Sequence, residues 1–183
     1  LGWVLNVNSG APLSIGAQNM LYANGTADIV GPFDPNGKVQ WQQGAASGSY
    51  FMGGSLKQVR DPQCDSVTSL QSLSGSCTLN AVADAKTNQI LLQNPLPGKR
   101  GTMGLRSIEG PGIWRFDANL SKAIHVGETK TVQFRMDAID VLNHPEPATP
   151  LVDVNAANFG LITGANAKST LHRQFQAQLR FSF

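Results

Sequence analysis

The chain has 183 residues, of which 14% are charged, with 19 Gly, 10 Pro and a formal net charge of +2. The length suffices for one domain with its own core, and the charged fraction is low against the quarter usual in soluble domains. Lys99-Arg100 is the only adjacent basic pair and sits among glycines and prolines; with no basic cluster to hold phosphates, nucleic acid and anionic surfaces are poor partners.

No apolar run approaches the roughly 18 residues of a transmembrane helix. Barrel strands escape that scan, because they need only about 9–11 residues of alternating polarity. The chain starts at Leu1, already in a strand pattern, with neither an initiating Met nor a secretory leader. It is therefore expected to be a piece of a longer polypeptide, with any export signal upstream.

Residues 1–15 open with alternation: Trp3, Leu5 and Val7 on one face, Asn6 and Asn8 on the other. Ser9-Gly10-Ala11-Pro12 interrupts it and Leu13 and Ile15 resume it. Proline cannot donate to a sheet ladder, so a bulge or a strand end is expected there. Residues 16–112 differ in kind. They are rich in Gly, Asn, Ser and Gln, and only short segments such as Val39–Gln42, Ser66–Leu73 and Gln89–Leu92 invite order. Asn24-Gly25, Asp34-Pro35-Asn36-Gly37, Asp61-Pro62 and Pro97-Gly98 signal turns. A structureless stretch this long counts against a compact soluble domain; as an external loop of a barrel it is ordinary. Cys64 and Cys77 fall within it, with twelve residues between them and no second pair or spaced His to suggest a metal. In an oxidising compartment they are expected to form a disulfide, and in a cytosolic one to remain thiols.

Residues 113–124 alternate again, with Trp114, Phe116, Ala118, Leu120 and Ile124 opposite Arg115, Asp117, Asn119 and Ser121. Lys122 interrupts the apolar face where its long stem can snorkel. After a turn around Gly127, residues 131–142 set Val132, Phe134, Met136 and Ala138 against Gln133, Arg135 and Asp137; the pattern lapses at 139–141, read as a bulge or an end. The pair reads as a hairpin of long amphipathic strands. An even register pairs apolar with apolar and collects Arg115, Asp117, Asn119, Arg135 and Asp137 on one polar surface. A second long loop is expected over 143–171. Residues 172–183 close the chain with unbroken period two: Phe175, Ala177, Leu179, Phe181 and Phe183 against Gln174, Gln176, Gln178, Arg180 and Ser182.

The expected fold class is all-β, an antiparallel transmembrane β-barrel fragment of about four strands. A soluble sandwich or adhesin-like binding module is the alternative, with the apolar face turned to a core instead of lipid. Strands near twelve residues, aromatics at strand ends, the long loop and the terminal Phe favour the membrane. Strand alternation puts the Gly127 turn and Phe183 on one side and both long loops on the other. A small pore assembled from copies of this chain is a third possibility.

Enzymatic signatures do not emerge. His125, His144 and His172 stand apart without ligand spacing, and Ser9 and Ser107 lack a G-x-S-x-G elbow. Asp137 and Asp140 are three apart on a strand and so face opposite ways. Gly98 to Gly104 lacks the Lys-Ser/Thr ending of a phosphate loop. Neither a metal nor a cofactor is expected.

Gly110-Pro111-Gly112, Trp114-Arg115-Phe116-Asp117, Leu120-Ser121-Lys122, Gln133-Phe134-Arg135, Asn143-His144-Pro145, Asn158-Phe159-Gly160-Leu161-Ile162-Thr163 and Arg173-Gln174-Phe175-Gln176 through Phe183 form a series. It resembles the carboxy-terminal end of TonB-dependent outer-membrane receptors, especially the Oar-like group with a carboxypeptidase-regulatory-like domain. The likeness is strongest over 110–183, weaker over 3–15 and loose between. It implies the outer membrane of a Gram-negative bacterium and a 22-stranded barrel with a plug. It also implies uptake of a bulky solute, powered through TonB by the proton gradient. The implied partners are upstream barrel strands and the plug, TonB through an upstream segment, outer-membrane lipid and the outer-membrane assembly machinery. That machinery would read Phe183, with Phe181 and Leu179. The polar set Arg115, Asp117, Asn119, Arg135 and Asp137 would line the lumen, touching solute or plug or hydrogen-bonding within itself.

Overall fold

A computed structural model describes residues 1–18, 25–66, 77–96, 98–168 and 173–183. The described residues form antiparallel sheets joined by turns and irregular segments, with little helix, so the class is all-β. The chain divides into two compact units: residues 1–8, 112–147 and 168–183 in the first, and 9–111 with 148–167 in the second.

The first unit is a four-stranded sheet in chain order, β1 (Gly2–Asn8), β2 (Ile113–Val126), β3 (Lys130–Ile139) and β4 (Gln174–Ser182). Every neighbouring pair is antiparallel. Gly127–Thr129 joins β2 to β3, and Gly127 at φ +76° supplies the left-handed residue of so tight a turn. The register is the even one: Leu120 faces Met136, Ile124 faces Val132, Phe134 faces Leu179, and Trp3 faces Ala118. One residue of slip would mix the two faces. Trp3, Leu120, Ile124, Phe134, Phe175, Leu179 and Phe181 all point outward and exposed. Trp114, Phe116 and Phe175 lie toward the end where the long excursions leave, and Phe181 and Phe183 toward the Gly127 turn.

The strand limits differ from the sequence reading. The first strand, expected over 1–15, stops at Asn8. Beyond it Gly10 crosses Gly110 so closely that a Cβ would meet the Gly110 carbonyl oxygen at 1.7 Å, and Pro12–Leu13 pairs with Ile108–Glu109 instead. The strand expected over 131–142 spans 130–139, because Asp140 turns left-handed at φ +49° and hands its N–H to the Asp117 carboxylate. The strand expected over 113–124 runs on to Val126. The last is seen as 174–182, and His172 lies outside the described residues.

The larger correction concerns 16–112 and 143–171, expected as two irregular loops. Most of both belongs to one compact unit with its own core. Asp28–Ile29, Ile90–Gln93, Asn80–Asp84 and Leu56–Arg60 form one sheet; Leu161–Ile162, Gly48–Ser49 and Gln40–Trp41 form another. Phe33, Phe51 and Phe159 meet with centroids 5.5 to 6.5 Å apart, packed with Ile15, Val82, Leu91, Leu92, Val154 and Ile162. Val154, Phe159 and Ile162 come from the second excursion, so neither loop could bury this core alone. Of the segments singled out from sequence, 39–42 holds a strand at Gln40–Trp41 and 89–92 one at Ile90–Gln93, while most of 66–73 lies outside the described residues.

Candidate functional site: the polar face of the four-stranded sheet

Period-two alternation sends Arg115, Asp117 and Asn119 of β2 and Arg135 and Asp137 of β3 to one face, with Asn119 opposite Asp137. The ion pairs run along strands. Arg115 Nε lies 3.1 Å from both Asp117 oxygens, and Arg135 grips Asp137 through Nε at 2.9 and 3.1 Å and through one terminal nitrogen at 3.0 Å. The Arg135 pair is half exposed, so it contributes order to the face more than stability. Asn119 neighbours these pairs without joining them.

Asp117 also ties the face to its end. Its Oδ2 accepts from Asn6 of β1, its Oδ1 from the Asp140 N–H, and Asp140 in turn accepts the His144 N–H. The His144 ring lies over Trp114, with centroids 4.1 Å apart. His125 Nδ1 is 3.1 Å from Thr131 Oγ1 near the turn. Further along, Gln133 and Arg135 of β3 and Gln178 and Arg180 of β4 frame a hollow of about 190 Å3. Asn6, Asp140, Gln133, Gln178 and Arg180 were not in the expected wall set. Gln133, Gln178 and Arg180 carry the same period-two signal, whereas Asp140 falls where the pattern breaks.

Leu179 and Phe181 stand on the opposite, apolar face, paired with Phe134 and Val132, and Phe183 is almost wholly exposed beyond the last pair. In the second unit Cys64 and Cys77 are disulfide-bonded, with Cα atoms 5.4 Å apart. An open groove of about 710 Å3 there is lined in part by Ser14, Gln18, Leu105, Leu151 and Asp153. Near it, buried Asp61 accepts from Gln63 N and from both the backbone N and Nδ2 of Asn94, each at 2.9 Å. Asn94 also bonds Asn155 and Asn80, so the acid anchors a clasp across both excursions.

Among the described residues no helix is long and apolar enough to cross a membrane, a statement that leaves strands aside. In comparisons with known proteins, a family model described as "Outer membrane beta barrel domain" matches residues 3–176. No curated protein matches the chain. No solved structure matches it either.

Proposed function

Because the chain belongs to the outer membrane β-barrel domain family, its place is the outer membrane of a Gram-negative bacterium, and we propose that it is the carboxy-terminal wall of a TonB-dependent receptor. In this reading the exposed apolar face of β1–β4 meets lipid and the Arg–Asp face lines the lumen. The two excursions leave from one end of the sheet, the extracellular end, and the Gly127 turn and Phe183 face the periplasm. The wall does no chemistry of its own. It encloses a path for a bulky solute, whose passage is driven through TonB and a plug on other parts of the receptor. The groove of about 710 Å3 in the co-folded excursions falls in the size range of ligand sites and would make first contact with that solute.

The observation that carries the reading is the sheet itself: four sequential antiparallel strands with an exposed apolar face opposite a charged one. The motif series over 110–183 adds the receptor class. A soluble sandwich is not favoured, since its apolar face would have to be covered. The test is accumulation of a labelled solute in cells carrying the receptor, with and without TonB. Uptake that persists unchanged without TonB would sink the energised reading and leave only a passive barrel. Deletion of Phe183 is expected to leave the protein unassembled in the periplasm, measured by its loss from the outer-membrane fraction.

A further inference from the structure

We infer that the hollow between β3 and β4 is a binding site for one carboxylate-sized anionic group, held by Arg180 and Arg135 with Gln133 and Gln178. The argument begins with charge. Among the described residues this stretch of the polar face carries three arginines and two aspartates, and both acids are committed: Asp117 to Arg115, and Asp137 to Arg135. No described Asp or Glu lies within ion-pair distance of Arg180. Its guanidinium therefore presents all five N–H donors uncompensated. Arg135 spends Nε and one terminal nitrogen on Asp137, and its other terminal nitrogen is left for a ligand.

Register then gathers the donors. Gln133 sits directly across from Arg180, and Arg135 directly across from Gln178. All four side chains rise from the same face of two paired strands, so their spacing is set by the ladder. The two carboxamides can each turn an NH2 toward the hollow, and neither is held by another described side chain. Two guanidinium groups and two amides make a donor-rich cup with charge-assisted bonds for an anion. Size decides what enters. At about 190 Å3 the hollow is smaller than the roughly 300 Å3 at which whole small-molecule sites begin. It fits an anionic group, free or borne on a larger body, and not a bulky solute entire. The site rests on the barrel wall, not on energised uptake, so failed TonB-dependent transport leaves it standing.

The test is side-chain nitrogen–proton NMR of the arginines in the full chain in detergent micelles, titrated with acetate, inorganic phosphate or a short Glu-containing peptide. Chloride at matched ionic strength is the control. The Arg180 and Arg135 Nε–Hε signals should shift saturably with acetate but not with chloride. Arg180→Gln should abolish the shift, and Arg180→Lys, which keeps the charge, should retain binding at lower affinity. Tighter binding of the peptide than of acetate would assign the group to a polypeptide segment, and equal affinity to a free anion. The inference is overturned if no anion shifts Arg180 saturably, or if Arg180→Gln leaves the Arg135 response intact.

Discussion

Single side chains hold the second unit together in ways that substitution can read. Asp61 is fully buried and accepts three N–H groups, from Gln63 and twice from Asn94. Asp61→Ala would leave the buried Asn94 backbone N–H without its acceptor, at about 1–3 kcal/mol, while Asn94 Nδ2 keeps the Asn80 carbonyl and Asn155 Oδ1. The expected result is a loss of roughly 1–3 kcal/mol in urea unfolding of the excursion unit. Tyr50 gives a gentler test. Its hydroxyl donates to the Glu109 carbonyl at 2.7 Å, and burial, with the Glu109 carboxylate added, pushes its pKa above the ordinary phenol value. A phenol raised in the folded state gives its full contribution below the unfolded pKa and loses it as pH climbs through the folded one. Tyr50→Phe should cost about 1 kcal/mol at neutral pH and remove that part of the alkaline decline in stability. Comparison of urea midpoints from neutral to strongly alkaline pH checks both. Neither contact was visible in the sequence, because Asp61 and Tyr50 are separated from their partners Asn94 and Glu109 by 33 and 59 positions.

At the scale of elements, the strands of the wall were the most legible part of the chain. Period two over β2, β3 and β4 named their faces, and in the β2–β3 hairpin the even register, since an amphipathic strand has only two sides to choose between. A charge on the wrong side tests the assignment. Leu179→Arg, in the middle of the apolar face of β4, should cost about 2–4 kcal/mol in folding into lipid bilayers. Gln176→Arg, on the polar face opposite Asp137, should be nearly silent. Equal penalties in a urea titration of bilayer folding would mean that the two faces do not see different solvents. Strand ends were less legible than strand faces. β1 stops at Asn8 because Gly10 must pass within backbone distance of Gly110, and β3 stops at Ile139 because Asp117 caps the left-handed Asp140 that follows. The local pattern marks both places with an interruption, at 9–12 and 139–141, and it is the long-range contacts that make each a strand end and not a bulge. The same holds in the candidate site. Arg115 with Asp117 and Arg135 with Asp137 could be placed on one face, but the along-strand pairing that leaves Arg180 uncompensated appears only once side chains have directions.

For the molecule as a whole, the consequential feature is that two excursions separated by a pair of wall strands share one core. Phe159 comes from the second excursion and packs on Phe33 and Phe51 of the first. Phe159→Ala should cost about 3–5 kcal/mol and lower the cooperative melting of segments from both excursions together, followed by hydrogen exchange. Loss of protection confined to 148–167 would show that the excursions fold separately. The sequence by itself determined the all-β class, the faces of the wall strands and the pairing of the β2–β3 hairpin, because these depend on alternation repeated over many neighbouring residues. The motif series over 110–183 carried the resemblance to outer-membrane receptors. The two-excursion core, the Asp61 clasp and the hollow beside Arg180 were decided by tertiary structure. The core and the clasp rest on burial and hydrogen bonding between residues far apart in the chain, in strands of two to five residues too short for any period to declare itself. The hollow rests on side-chain directions across the longer strands β3 and β4.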